Sequence, residues 1–171
     1  MKFAELAKAR YSVRNFSDKP IEQEKLDAVL QTAQLAPTAK NIQPFKIYVV
    51  RSADAVAKMR TLTQCHYNAP VILMLTYNKD QEWQNPLEAG VTSGRQDTSI
   101  VATHLMLAAS EEGLGTCWVN FFAPSAVQKA FALPENEIPA MLMPIGYAAD
   151  NAAPSPRHTQ SKALDELVSY L

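Results

Sequence analysis

The sequence predicts an α+β domain in three layers, a sheet of about four strands with helices on both faces. Three observations carry this. The 171 residues are 47% hydrophobic, enough for one sizeable core. Four short runs of β-branched, aromatic or apolar residues recur along the chain. Around them lie segments whose apolar residues return at helical spacing. No repeat or linker interrupts this order, so residues 1–171 read as a single domain.

Residues 3–9 place Phe3, Leu6 and Ala7 on one helical face. Residues 21–36 do so more clearly, with Leu26, Val29, Leu30 and Ala33 aligned, Pro20 at the start and Pro37 at the end. FKIYVVR at 45–51 is a strand, and Ser52 caps a following helix that carries Val56, Met59 and Leu62. The apolar run 71–77 reads as a buried strand. Residues 78–96 form a polar, irregular loop with Trp83, Pro86, Gly90 and Gly94, and a loop of that length in a compact domain is often functional. From Asp97, read as the cap, to Glu112 runs a helix apolar on more than one face, and Gly113 ends it. A strand over 116–121, a short helix with Val127 and Phe131, a strand over 141–147 and a last helix over 163–171 complete the order.

Formal net charge is −1, and no basic run suggests nucleic acid as a partner. MKFAELAKAR lacks the apolar stretch of a signal peptide, and the 71–75 run is too short to span a bilayer. These features predict a soluble cytoplasmic protein. Cys65 and Cys117 form no CxxC, and His66 and His158 stand apart from other ligand types, so no metal site is predicted. Cys117 reads as buried and inert, and His104 as a hydrogen-bonded core or interface histidine. Trp83, Phe121 and Phe122 are either packing residues or walls of a substrate pocket.

Four segments carry possible chemistry. In Arg10-Tyr11-Ser12-Val13-Arg14 an extended backbone would point Arg10, Ser12 and Arg14 to one side, a cradle for phosphate or a polar ring edge. Alone, it reads more readily as a solvated turn between helices. The run 36–45 brackets polar side chains between Pro37 and Pro44, which also fits an ordinary helix stop. Gly113-Leu114-Gly115-Thr116 leads from a helix into a strand, where Gly115 either admits a flat ligand to the backbone or makes a turn. Arg157 and His158 follow two prolines in the tail loop. There is no GxGxxG or GxxxxGK[ST], so any phosphate must be met by arginines instead of a glycine-rich helix start.

RYSVRNFSDKPI, LAPTAKNIQPFKIYVV, LAASEEGLGTCWV and MPIGYAADNAAPSPR, in this order and spacing, resemble the nitroreductase family, especially its short members. The resemblance runs from Arg10 to the C-terminus. It implies a mostly antiparallel sheet, a homodimer, and FMN held between the two subunits. Arg10 and Ser12 would hold the FMN phosphate and ribityl chain, Arg157 would close the phosphate site, and Arg14 would face the flavin pyrimidine. Pro37, Thr38 and Asn41 would reach the flavin from the partner subunit. Gly115 and Thr116 would lie near the ring on its dimethylbenzene and N5 side. Ala39 replaces a hydroxyl residue common in the family, and Lys40 is unusual there. The implied activity is transfer of hydride from NAD(P)H to nitroaromatic, quinone or similar acceptors by a ping-pong cycle, the flavin carrying the chemistry. Another flavin reaction of the same fold, dehalogenation or flavin breakdown, and a non-enzymatic flavin-binding role are the alternatives. The helix over 97–112 is the expected dimer interface.

Overall fold

The computed structural model describes residues 2–171. The sheet holds β1 (Phe45–Val50), β2 (Val71–Asn78), β3 (Gly115–Thr116) and β4 (Glu137–Gly146) in the order β1-β2-β4-β3, every pairing antiparallel. Around it lie α1 (Phe3–Ala9), α2 (Gln23–Gln31), α3 (Ala53–Arg60), α4 (Gly94–Glu111), α5 (Pro124–Ala130) and α6 (Leu164–Leu167).

Side-chain alternation on the two inner strands builds the three layers. Leu73 and Leu75 of β2, with Met141, Met143 and Ile145 of β4, face a core closed by α2 and α4 through Leu26, Val29, Val101 and Leu105. Ile72, Met74 and Leu142 point the other way, onto Val56 and Met59 of α3 and Val127 of α5. Leu73, Met74, Leu105 and Leu142 are fully buried. Each such side chain contributes about 1.5–3 kcal/mol of apolar burial, so β2 is the most strongly anchored element.

Several boundaries differ from the sequence expectation. The helix expected over 21–36 starts at Gln23 and tightens into a 3₁₀ turn over Thr32–Leu35. Pro139 and Pro144 speak against a long inner strand, yet β4 begins at Glu137. Pro139 sits at a register shift beside Leu75 and Thr76, where a missing N–H costs least. The strand expected over 116–121 pairs only at its start and meets β4 again at Val119↔Leu142. The helix expected over 163–171 is a single turn, Leu164–Leu167, and its apolar side chains are exposed. On α1, Phe3 is likewise exposed.

The helix expected from Asp97 starts at Gly94, with Ser93 at the cap position. Asp97 is therefore not the cap; it is buried in the first turn. Gly94 packs so tightly on Tyr77 that a Cβ there would collide with the ring. At the far end, Leu114 N–H donates to Ala109 O (2.7 Å) and Gly113 N–H to Ser110 O (3.2 Å), with Gly113 at φ +75°. This is the αL stop that the glycine predicts. Ile100 on the outer side of α4 is exposed in the single chain, and His104 bonds back to Ile100 O at 2.9 Å.

Candidate active site

β3 is a short edge strand, and the segment 12–17 lies along it. Val13 N–H donates to Thr116 O (2.9 Å), Ser12 bridges Thr116 in parallel, and Ser17 N–H donates to Tyr147 O (2.9 Å). Val13 and Phe16 are buried beneath this segment. Gly115 makes the approach possible, because a Cβ there would run into the Val13 side chain. Its packing role stands beside the ligand role expected from sequence.

With Val13 turned inward, Arg10, Ser12 and Arg14 turn outward together and line one cavity of about 610 Å³. Arg157 lines the same cavity from the far end of the chain. The tail is brought there by Ala149 N–H donating to Asn15 O (3.1 Å) and Asn15 Nδ2 donating to Asn151 Oδ1 (2.7 Å). Ser155 Oγ then accepts from Arg157 N–H (3.3 Å) and opens the turn Pro156–Thr159. Three arginines and Ser12 line a space whose wall holds no Asp or Glu. Such a donor set matches a phosphate dianion. The volume is in the range of small-molecule sites.

Tyr11, Ser155 and His158 also line the cavity, and the Tyr11 and His158 rings meet edge-on at 6.3 Å. Sequence reasoning did not assign them, since nothing local relates Tyr11 to a loop at the other end of the chain. Gly115 and Thr116 line a smaller adjoining space of about 200 Å³, which shares Arg10 and Tyr11 with the first. Cys117 lies behind the cradle: burial pushes its thiol up, opposed by the nearby Arg14 guanidinium. Arg14 also lies by Tyr67, whose hydroxyl is pushed up to about 12, chiefly by burial.

A second cavity, about 670 Å³, lies elsewhere, between residues 60–66 and 120–123. Its volume is less informative than the cation cluster, because its wall mixes ordinary polar and apolar groups. Thr63 stitches its two sides together, donating to Phe121 O at 2.7 Å and accepting from Cys65 N–H at 3.1 Å. Phe121 and Phe122 are part of this wall, and Trp83 is not. His66 lines it with Nδ1 accepting from Asn68 N–H, its pKa lowered by burial and by Arg60.

Pro37, Thr38 and Asn41 line none of these spaces. They belong to a separate loop, with Pro37 and Asn41 exposed. Lys40, Asn41 and Gln43 there hold left-handed φ values of 50°, 54° and 53°. Each such residue costs about 1–3 kcal/mol and persists only where its surroundings enforce it. Thr38 Oγ1 accepts from Gln43 N–H (3.0 Å), Gln43 Nε2 donates to Asn41 Oδ1 (2.8 Å), and Ala39 N–H donates to Asp97 Oδ1 (2.9 Å).

The family model for the nitroreductase family matches residues 7–67 and 62–147. The chain belongs to the nitroreductase family. A solved nitroreductase family protein from Clostridium difficile 630 is 38% identical, covers 99% of this chain and 98% of its own, and superposes with a TM-score of 0.93. The FMN reductase [NAD(P)H] of Bacillus subtilis is 28% identical over 94% of this chain and 71% of its own length. A protein from Exiguobacterium sibiricum, solved in complex with FMN, shares the fold at 22% identity and a TM-score of 0.82, covering 100% of this chain and 98% of its own. The antiparallel four-stranded sheet flanked by helices is thus the nitroreductase fold, as the resemblance implies.

Proposed function

We propose that this nitroreductase-family chain is an FMN-dependent oxidoreductase that uses NAD(P)H to reduce nitroaromatic, quinone or similar acceptors. The observation that carries the reading is the convergence of Arg10, Ser12, Arg14 and Arg157 on one cavity with no acidic group in its wall. The FMN reductase relative and the FMN-bound structural neighbour support the choice of cofactor.

Arg10, Arg157 and Ser12 bind the phosphate and the start of the ribityl chain, as charge-assisted hydrogen bonds favour. Arg14 sits on the side of this cradle nearest Tyr67 and Cys117 and presents a fixed cation to the pyrimidine edge. Gly115 and Thr116 flank the ring. Pro37, Thr38 and Asn41 serve the site of a second copy, because within one chain they do not reach the cradle. The working unit is therefore a homodimer, with residues 1–171 forming one domain per subunit. When bound, FMN supplies the two-electron redox chemistry, so the protein needs no acid or base of its own for that step. Phe121 offers the larger cavity an exposed aromatic face that suits a flat ring. The cytoplasm is the proposed setting; among the described residues no helix is long and apolar enough to cross a membrane.

The test is optical. The purified protein is expected to be yellow and to bleach anaerobically on adding NADH or NADPH, with colour returning when an acceptor is added. A colourless protein that takes up no added FMN would remove the cofactor. A yellow protein that neither nucleotide bleaches would leave flavin binding and remove the reductase activity.

A further inference from the structure

Asp97 is a buried carboxylate that the proposed chemistry does not use. It is 3% exposed, and among the described residues it forms no salt bridge. Its Oδ1 accepts from Ala39 N–H at 2.9 Å, and its Oδ2 accepts from Ser93 Oγ at 2.7 Å. Burying an unpaired carboxylate is costly, and neutral donors offset that cost only when their geometry is fixed. Its place in the first turn of α4 helps, since the helix start favours negative charge. The two oxygens thus join two elements, the start of α4 and the loop 38–43.

What the loop gains is definite. Three of its residues hold left-handed backbone without being glycine. Its internal bonds, Gln43 N–H to Thr38 Oγ1 and Gln43 Nε2 to Asn41 Oδ1, are exposed and close only on the loop itself. The bond to Asp97 is the more sheltered, being partly buried, and it attaches the loop between Thr38 and Asn41 to the long helix. We infer that Asp97 is a positioning residue: it clamps the loop 38–43 in its strained shape and so presets Thr38 and Asn41 for the flavin of a second copy. The inference rests on the proposed role of that loop, and the experiment separates the two.

Lys40 is exposed at the middle of the loop and gives trypsin a cut site beside Asn41. In Asp97→Ala, cleavage after Lys40, followed by mass spectrometry on the dimer without FMN, is expected to accelerate about tenfold, and the Kd for FMN to rise by a similar factor. Asp97→Asn keeps an acceptor for Ala39 N–H and can donate to Ser93 Oγ, so it is expected to restore both readouts to within about threefold of wild type. Val101→Ala, a core truncation on the same helix, controls for stability loss: it lowers Tm and leaves both readouts near wild type. Should Asp97→Ala fail to fold, Ala39→Pro removes only the donor. Proline fits there because Ala39 opens a 3₁₀ turn and Thr38 is already extended at φ −131°, ψ 160°. Faster cleavage with weakened FMN binding and rescue by Asn supports the clamp. Faster cleavage with an unchanged Kd also supports the clamp, and takes the loop out of the flavin site. Cleavage no faster than in Val101→Ala overturns the inference, whatever happens to FMN.

Discussion

The segment Arg10–Arg14 and the loop Pro37–Asn41 both stand out in the sequence as polar runs beside helix ends, yet they are built in opposite ways. The first is extended, hydrogen-bonded to the β3 edge, and meets Arg157 within its own chain. The second is tightly turned, carries left-handed residues, is fastened to α4, and does not line the cradle or the space adjoining it. One chain therefore contains a complete cation cradle and an orphaned polar loop. A segment completed in cis can be judged from one subunit; in the proposed homodimer the strained loop serves the site of the second copy.

Breaking that comparison at its root gives the largest effect. If each flavin needs both regions, dilution that separates the subunits should release FMN in step with dissociation. Sedimentation with absorbance near 450 nm follows both quantities. A monomer that keeps one FMN per chain would place every binding residue in cis.

Mixed dimers sharpen the same point. Arg10→Ala damages the cradle and Asn41→Ala the loop, so a dimer with one of each has one doubly damaged site and one intact site if the regions pair across subunits. Co-refolded mixed dimers should then recover one tight FMN site, absent from either parent. Were the two regions to act within one chain, mixing would recover nothing.

Singly, Arg10→Ala should weaken FMN binding by about 1.5–3 kcal/mol, the usual contribution of a charge-assisted hydrogen bond. That is roughly ten- to a hundredfold in Kd, measurable by titrating apo-protein. Arg14→Gln should act on the flavin more than on its retention. Loss of a cation at the pyrimidine edge is expected to lower the two-electron midpoint potential by about 30 mV, the equivalent of about 1.4 kcal/mol. Spectroelectrochemistry reads this, and a wild-type potential would move Arg14 away from the ring.

The contrast also explains what could be read from the sequence. The β2 run was legible because a strand buried on both faces reads as a continuous apolar stretch, and the faces of α2 and α4 because residues packed on the sheet return at helical spacing. The R-x-S-x-R cradle was legible because an extended segment alternates. The helix read over 163–171 keeps its apolar side chains exposed, and one turn is helical. Asp97 was misread as a cap because helix starts are inferred from neighbours in sequence. One of its two partners is Ala39, 58 residues away, and no local pattern encodes such a bond. The meeting of Tyr11 with His158 was out of reach of the sequence for the same reason.

The smallest expected effect lies at the anchor of the first region. Tyr147 follows β4, accepts Ser17 N–H through its carbonyl, and donates from its hydroxyl to Glu22 Oε2 at 2.5 Å, with Lys19 Nζ 3.8 Å from its ring centroid. The tyrosine hydrogen bond, ahead of every other cause, lowers Glu22 from 4.5 to about 2. A carboxylate with a depressed folded pKa adds stability that is fully present above its unfolded value near 4.5 and is lost as pH falls toward about 2. Glu22 is about half exposed, so solvent screens the contribution and the effect is small. Tyr147→Phe should accordingly lower Tm by about a degree or two at pH 6 to 7. The gap from wild type should narrow steadily below pH 4.5 and close near pH 2. Because the bond sits beside the turn that carries the chain from Arg14 into α2, the variant should also loosen the cradle slightly while trypsin cleavage after Lys40 stays at its wild-type rate. A Tm difference that persists unchanged at pH 2 would show that Tyr147 acts through its packing, with no part played by the Glu22 carboxylate.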